Sequence, residues 1–174
     1  MVARYTNYEM QPLQLKTPAA PIHRVAQELA ASSGFLLARL GFGFKAKAIA
    51  KVAQEGFELY DYSVLAILAE GARETQSTIA DALDLDPSRL VALLDSLGER
   101  ALIERQRDPH DRRRHVVTIT PAGERELARL REMISQLEEE FFAPLDPDSR
   151  KRFHESLLKL AAQNDPRCVF TDSD

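Results

Sequence analysis

The sequence predicts a mainly α-helical fold with one small β-hairpin, and three observations support this prediction. Apolar residues recur at three- and four-residue spacing along most of the chain, which is typical of helices packed on a core. Capping residues such as Thr75 and the Asp86–Pro87 pair precede several of these runs. Only residues 102–119 read as two short strands joined by a polar tip. With 174 residues, 44% of them hydrophobic, the chain is long enough for a sizeable core.

The expected helices follow from these apolar runs and their caps. Pro21 suits the first turn of a long helix, Gly71 ends a second one, and Thr120 and Asp146 cap the last two. The stretch Thr120–Glu124 reads as a capping box. We therefore expect helices over about residues 21–54, 60–70, 76–83, 87–101, 124–142 and 147–163.

Two of these helices are short and lie close together in the chain. The first is capped by Thr75 and the second by Asp86, and the tight turn 84–87 joins them. Two short helices with such a turn form a helix-turn-helix. In the second helix, one stripe is apolar and is expected to face the core; it consists of Leu90, Leu93, Leu94, Leu97 and Ala101. The residues left facing outward are Ser88, Arg89, Val91, Ala92, Asp95 and Ser96.

The hairpin 102–119 carries an unusual concentration of arginine. Five arginines fall between positions 105 and 114. The planar guanidinium suits phosphate groups and narrow minor grooves, so a hairpin next to a helix-turn-helix predicts a winged helix-turn-helix that binds DNA. Because side chains alternate along a strand, Arg112, Arg113 and Arg114 cannot all point to DNA, and we favour Arg113. The alternative is a solvated loop with ion pairs to Asp108 and Asp111.

Composition narrows the remaining classes of function. The formal net charge of −4 argues against general affinity for nucleic acid, so a DNA interface must rest on local positive charge. A single cysteine, Cys168, excludes an intrachain disulfide, and no secretory signal or membrane-spanning run is evident, so a cytoplasmic protein is expected. The four histidines lack the spacing of metal ligands, and no phosphate loop or nucleophile elbow is present. We expect neither an enzyme nor a cofactor.

The outer segments suggest how the chain is organised. Residues 1–20 are polar and proline-broken and are interpreted as an arm, and 164–174 as a polar tail. The long helix 124–142 has its own apolar stripe, and further helices lie at each end of the chain. These apolar faces exceed what the central unit needs, so a second copy of the chain is expected to cover them. We assign 21–56 and 120–163 to dimerisation and 57–119 to the DNA-binding lobe.

Several outward residues are candidates for contact with DNA. Ser77 caps a helix start and could equally approach a phosphate; Arg89 has the stronger claim, because it lies at an exposed helix start. Asp95 would either accept a hydrogen bond from cytosine or pair with a hairpin arginine. The candidate DNA-binding residues are Gln76, Ser77, Ser88, Arg89, Ala92, Asp95, Ser96, Arg107, Arg112, Arg113 and Arg114.

The block from Tyr62 to Gly123 resembles the MarR (multiple antibiotic resistance regulator) family of transcription factors. The resemblance rests on Ile103-Glu104-Arg105, on Asp108-Pro109-His110-Asp111-Arg112-Arg113, and on Val117-Thr118-Ile119-Thr120-Pro121-Ala122-Gly123. Thr75-Gln76-Ser77-Thr78-Ile79-Ala80 and Asp86-Pro87-Ser88 also agree. Ala92 and Ser96 depart from the family where it often carries arginines, and Ala101 replaces a usual glycine.

The resemblance implies a homodimer with interlocked terminal helices, whose two wings read a pseudo-palindromic operator. It also implies repression that a small ligand or an oxidant relieves. The reactive cysteine of a redox-sensing member is expected near the amino end, where the sequence has none, so Cys168 is interpreted as a bystander. A ligand cleft would lie between the dimer helices and the DNA-binding lobe, with Arg39 and Tyr60 orienting an aromatic carboxylate. Its candidate residues are Arg39, Phe42, Tyr60 and Tyr62.

Two rival functions remain open at this point. A winged helix can serve as a protein–protein interaction module without binding DNA, although its wing would not need an arginine cluster. It can also serve only for dimerisation in an enzyme, which would need a catalytic domain with a glycine-rich nucleotide loop.

Overall fold

The computed structural model describes residues 24–71, 74–107 and 115–168. Within these ranges the chain is mostly helical, with a small antiparallel sheet. The elements in chain order are α1 (Gln27–Ala30), α2 (Ser33–Ala53), α3 (Leu59–Glu70), β1 (Glu74–Thr75), α4 (Gln76–Leu83), α5 (Pro87–Glu99), β2 (Ile103–Arg107), β3 (His115–Ile119), α6 (Pro121–Phe141), α7 (Pro147–Asn164) and a 3-10 turn (Pro166–Cys168).

The chain divides into two units, one ending at Arg39 and the other beginning at Leu40. In the first unit, the single helix expected over 21–54 is wrong, because α1 ends at Ala30 and α2 begins at Ser33. The hydroxyl of Ser32 accepts a hydrogen bond from the amide of Phe35 at 3.3 Å. A serine that bonds its own backbone in this way favours a helix start over a helix interior.

The core of the second unit is built around α3, α5, α6 and β3. Val64 and Leu65 of α3 and Val117 of β3 are completely buried. The apolar stripe predicted for α5 is also buried, except for its last member, Ala101. Further fully buried side chains come from α2, α4 and α6; they are Val52, Ile79, Leu127 and Leu130.

The structure contains the predicted helix-turn-helix, formed by α4 and α5. Thr75 caps α4, because its hydroxyl accepts a hydrogen bond from the Thr78 amide at 3.2 Å. Asp84 ends α4 in the left-handed conformation with φ 53°, which aspartate tolerates better than most residues. Asp86 then caps α5 by accepting the Ser88 amide at 2.8 Å, with Pro87 in the first helical position. Local side-chain chemistry therefore sets both helix starts and the turn between them.

The two strands of the predicted hairpin pair in register, from Ile103 opposite Ile119 to Arg107 opposite His115. The tip of the hairpin, residues 108–114, lies outside the described residues. A third strand that the sequence analysis did not predict, β1, pairs with the other side of β3. It joins the start of α4 to the hairpin, so the helix-turn-helix and the wing share one sheet.

Ala101 and α6 differ from the sequence predictions. The α5 helix ends at Glu99, and Ala101 is exposed with φ 54°, so it does not extend the buried stripe. The apolar stripe of α6 is buried against α3 and the rest of the same core, so it does not need a second chain to cover it. Large apolar side chains are exposed instead on α1, α2 and α7; they include Leu29, Leu36, Leu37, Leu40, Phe42, Phe153, Leu158 and Leu160.

The α6 and α7 helices are joined by a short turn under an aromatic cluster. The rings of Phe44 and Phe141 meet edge to face at 5.2 Å, and Phe142 packs between Phe141 and Phe153. Arg150 of α7 donates to a carboxylate oxygen of Glu139 on α6 at 2.7 Å. Along the ranges given above, no helix combines the length and the apolar character that crossing a bilayer requires.

The amino-terminal turn of α6 presses directly on the root of the wing. Gly123 is buried, and a Cβ atom built there would collide with the carbonyl oxygen of Leu102 and lie 2.8 Å from a side-chain carbon of Ile119. The hydroxyl of Thr120 also donates to the carbonyl of Ala101 at 2.8 Å. Only glycine lets the helix approach the chain this closely.

Substitution of Gly123 by alanine is therefore expected to destabilise the fold by about 1–3 kcal/mol, because backbone atoms must move. Gly98 is the matched control, since nothing lies within 4 Å of a Cβ atom built there. Gly98→Ala is expected to be neutral or to stabilise the fold by up to about 1 kcal/mol through helix propensity. Urea unfolding followed by circular dichroism measures both, and equal stabilities for the two variants would contradict the close contact.

Candidate nucleic-acid interface

One side of α5 lies in the core, and the other faces solvent. The buried side holds Leu90, Leu93, Leu94 and Leu97. The exposed side carries short or polar residues, with Val91 as a single larger apolar side chain. Every sequence-predicted contact residue of this helix is exposed, namely Ser88, Arg89, Ala92, Asp95 and Ser96. A helix with this exposed surface is suited to enter a groove.

Arg89 makes contacts within its own chain. Its guanidinium lies over the ring of Tyr60 at 5.0 Å, and Nη2 is 3.6 Å from a carboxylate oxygen of Glu58. Both contacts connect the start of α5 to the start of α3. The arginine side chain remains more than half exposed, so a phosphate could compete for it.

The base of the wing is attached to α5 by an ion pair. Nη1 of Arg105 on β2 lies 2.8 Å from Oδ1 of Asp95. Of the two interpretations of Asp95, the structure thus contains the ion pair with a hairpin arginine. The second terminal nitrogen of Arg105 is buried and has no hydrogen-bond partner within the described ranges. The pair balances the charge of the exposed aspartate and connects the base of the wing to the helix.

The remaining predicted residues of the wing are only partly described. Arg107 is exposed at the end of β2, opposite the backbone of His115. Arg112, Arg113 and Arg114 lie outside the described residues. The geometry therefore shows that the strands lead toward an arginine-rich tip, and the roles of the three arginines stay a prediction.

The helix starts hold their predicted polar residues in different environments. Gln76 is half-buried at the beginning of α4, whereas Ser77 is exposed. Ser88 is occupied as part of the α5 cap, because both its amide and its hydroxyl donate to Asp86. These two hydrogen bonds lower the pKa of the Asp86 carboxyl. The cap holds the first turn of α5 in place.

A cavity of about 400 Å³ lies between α5 and the junction of α2 with α3. Its floor is formed by the chain that connects the two helices, and one wall is α5. The lining residues are Ala53, Gly56, Phe57, Glu58, Asp61, Arg89, Ala92, Leu93 and Ser96. The cavity therefore shares Arg89, Ala92 and Ser96 with the candidate DNA-contacting surface.

Asp61 is the buried acid of this cavity, with 4% of its surface exposed. Its Oδ2 accepts a hydrogen bond from the amide of Glu58 at 2.7 Å, which caps the start of α3. Its Oδ1 is buried and has no hydrogen-bond partner in the part of the chain that the structure describes. Burial raises the pKa of Asp61 and outweighs the opposing effects of the Glu58 amide and the charge of Arg100.

Arg100, just after α5, holds the floor of the cavity. Its guanidinium lies 3.6 Å from the centre of the Phe57 ring, and Nη1 donates to the carbonyl of Gly56 at 3.1 Å. Gly56 has a φ of 73°, which places it in the left-handed region that favours glycine. Arg89 and Arg100 thus attach both ends of α5 to the chain between α2 and α3.

The four residues predicted to bind a ligand are not part of the lining of this cavity. Phe42 is 72% exposed on α2, and Tyr60 and Tyr62 are half-buried on α3; none of the three lines the cavity. Arg39 is exposed at the end of the first unit. Among the described side chains, no group of three or more potential ligands is placed to hold a metal ion.

Sequence analysis named Arg89, Ala92 and Ser96 as candidates for DNA contact but missed the cavity and its other residues. Phe57, Glu58, Asp61 and Arg100 are not among the residues that the sequence singles out. One signal was available, because an acid at position 58 followed by another at 61 resembles a capping box at a helix start. The burial of Asp61 and the reach of Arg100 across 44 positions depend on the tertiary fold.

Comparison with known proteins identifies similar sequences and structures. A sequence model of the MarR family matches residues 56–114. A putative transcriptional regulatory protein for the hcr operon of Thauera aromatica is 31% identical over 139 residues, which cover 75% of this chain and 84% of that protein.

Two crystal structures from Rhodococcus share the fold. A MarR-family transcriptional regulator from Rhodococcus sp. RHA1 superposes with a TM-score of 0.69 at 28% identity, covering 78% of this chain and 96% of that one. CouR from Rhodococcus jostii RHA1, bound to p-coumaroyl-CoA, superposes with a TM-score of 0.67 at 28% identity, covering 84% and 100%. The similarity thus extends well beyond the helix-turn-helix and wing.

Replacement of Asp61 by asparagine tests the buried acid. Because burial raises the pKa of Asp61, the folded state disfavours its ionised form, and the wild-type protein loses stability as the pH rises through the folded pKa. Asparagine can still accept the Glu58 amide and carries no charge. We expect Asp61→Asn to unfold at higher urea than the wild type at pH 7, with the difference shrinking toward pH 4. A variant that is less stable than wild type at pH 7 would contradict the conclusion that burial disfavours the ionised form of Asp61.

Proposed function

The chain belongs to the MarR family of transcriptional regulators, and on this basis we propose that it is a homodimeric repressor of a pseudo-palindromic operator, released by a small molecule. The observation that carries the proposal is the position of α5. Its leucine side is fixed in the core, its short polar side faces solvent, and the arginine-bearing hairpin is joined to it by the Asp95–Arg105 pair.

DNA recognition in this proposal uses α5 and the wing together. The helix enters a major groove with its exposed side, and the amides at the starts of α4 and α5 approach phosphates. Arg113 of the wing tip enters the adjacent minor groove. Because Ala92 and Ser96 are small, we infer that the wing and the phosphate contacts contribute more to affinity than this helix does. The proposed contact residues are those predicted from the sequence, with Asp95 acting through Arg105.

Dimerisation is proposed to use the exposed apolar surfaces near both ends of the chain. On α7, Phe153, Leu158 and Leu160 are exposed. In the first unit, Leu29, Leu36 and Leu37 are exposed. A stable helical protein rarely leaves this many large apolar side chains in water, and a second copy is the commonest cover. The α6 helix, whose stripe lies in the core, contributes mainly as a support for α7.

Release by a small molecule is proposed from the cavity beside α5 and from the relatives. CouR is described with p-coumaroyl-CoA bound, so a regulator with this fold can hold a small molecule. A ligand that binds one position of α5 better than another shifts the population between DNA-competent and incompetent forms. A nearly complete shift needs about 5.5 kcal/mol of differential affinity.

The wing contact is tested with Arg113→Ala in a fluorescence titration at fixed salt, using an operator selected from random DNA. Loss of a guanidinium inserted in a groove is expected to weaken binding by about 1–3 kcal/mol. Arg131→Ala on the exposed surface of α6 is the matched control and is expected to bind as wild type does. Wild-type affinity should also fall steeply with salt because phosphate contacts release counterions. An Arg113→Ala protein that binds as tightly as wild type would refute the contact.

The dimer is tested by placing a charge on α7. Leu160→Glu is expected to weaken self-association by about 10- to 150-fold, the equivalent of burying one leucine, about 1.5–3 kcal/mol. Lys159→Glu is the control, because this exposed position lies about 100° around the helix from both Leu158 and Leu160. Sedimentation velocity at micromolar concentration measures both variants. If Leu160→Glu remains as dimeric as Lys159→Glu, this part of α7 is not the interface.

A further inference from the structure

The exposed side of α5 carries one large apolar side chain that the proposed contacts with DNA do not use. Val91 is 41% exposed, between Ser88 in the first turn and Asp95 one turn later. A single exposed valine is ordinary on a protein surface. Its place on the helix therefore decides whether it has a function.

Val91 lies on the edge of α5 that leads to the wing. The rotation of the helix is fixed by its buried leucines, and Val91 is about 110° around the helix from the middle of that stripe. Asp95 and Gly98, four and seven residues later, line a shallow groove between α5 and β2 together with Arg105. Residues at this spacing share one edge of a helix. Val91 is also the fifth residue of α5, in the amino-terminal part that contacts base edges in helix-turn-helix proteins.

The polar groups on either side of Val91 already have partners in the protein. The hydroxyl of Ser88 donates to the Asp86 carboxylate, and the Asp95 carboxylate is paired with Arg105. Ala92, the next exposed residue, adds only a methyl group. Val91 and Ala92 therefore form an apolar patch on the exposed side of α5, and the side chains of this patch offer no hydrogen-bonding group.

An apolar patch in a major groove favours one base over the others. Every base pair presents donors and acceptors there, and the C5-methyl group of thymine is the apolar group of the groove. Burial of one methyl group contributes about 0.8 kcal/mol, or about fourfold in Kd. A donor or acceptor placed against valine loses its hydrogen bond to water and gains none, which disfavours the other bases at that position.

We propose that Val91, with Ala92 beside it, determines the identity of one base in each half-site by packing on the C5-methyl group of a thymine. The inference rests on the proposed function, because it requires α5 to lie in a major groove. It deepens that function by assigning a base to a residue. The wing and the phosphate contacts then supply most of the affinity, and Val91 supplies selection between sequences.

Deoxyuridine tests the contact on the DNA, because it lacks the C5-methyl group of thymine and keeps the same base pairing. The operator is selected from random DNA with the full-length wild-type protein, and its thymines are replaced by deoxyuridine one position at a time. Fluorescence titration at fixed salt gives each Kd. At one thymine position of the half-site, we expect the Kd to rise about fourfold when one half-site is changed and about 16-fold when both are changed. The other thymines of the operator are the internal control.

Val91→Ala tests the same contact on the protein and completes a double-mutant cycle. We expect it to bind the thymine operator about 16-fold more weakly than wild type does, and the doubly substituted operator equally well. Ser96→Ala, on the opposite edge of the exposed side, is the matched control and should keep the thymine preference whatever its effect on overall affinity. Alanine favours a helix more than valine does, so the variant is expected to fold. If it does not fold, Val91→Thr, which keeps one methyl group, should reduce the 16-fold preference to about fourfold.

The outcomes separate this inference from the proposed function. A wild-type protein that is indifferent to uracil at every thymine of its operator overturns the inference alone. A uracil effect that Val91→Ala leaves unchanged also overturns it, because the effect then comes from DNA shape. An equal loss of affinity for both operators in Val91→Ala overturns it as well, since the role of Val91 is then only structural. A selection that enriches no DNA removes the proposed function, and this inference with it.

Discussion

The packing of α5 determines most of what this protein can do. Four leucines on one side of the helix are buried, and this fixes which residues face outward. The rotation of the helix therefore decides both the surface offered to a DNA groove and the wall of the adjacent cavity. Side-chain contacts at its two ends, made by Arg89 and Arg100, bind it to the chain between α2 and α3. A small shift of this one helix therefore changes both the candidate DNA-contacting surface and the shape of the cavity.

Capping residues in the sequence were sufficient to predict where most helices begin. Thr75, Asp86, Thr120 and Asp146 each accept a backbone amide at the helix start that they predict. The leucine stripe of α5 was equally readable, because helical periodicity depends only on neighbouring turns. Ser32 shows the limit of this approach, since its hydroxyl starts a new helix within a stretch that reads as continuous.

Features that depend on distant parts of the chain could not be predicted in the same way. The pairing of Glu74 with Val117 creates the third strand, β1. The two residues of β1 are too short a segment to predict a strand from the sequence. The expectation that a second chain covers the α6 stripe is wrong, because the stripe lies in the core of its own chain. Periodicity shows that a face is apolar and does not show what covers it. The cavity is a similar case: Phe57, Asp61 and Ser96 come together only when α5 packs beside the start of α3.

Because Gly123 lies directly against Leu102, the position of α6 is coupled to the position of the wing. The helix runs for 21 residues, about 30 Å, from this point of contact toward α7. With the contact as a pivot, a tilt of about 5° would displace the far end by about 3 Å. Because glycine leaves the helix backbone directly against the Leu102 carbonyl, we expect such a tilt to move the root of the hairpin as well.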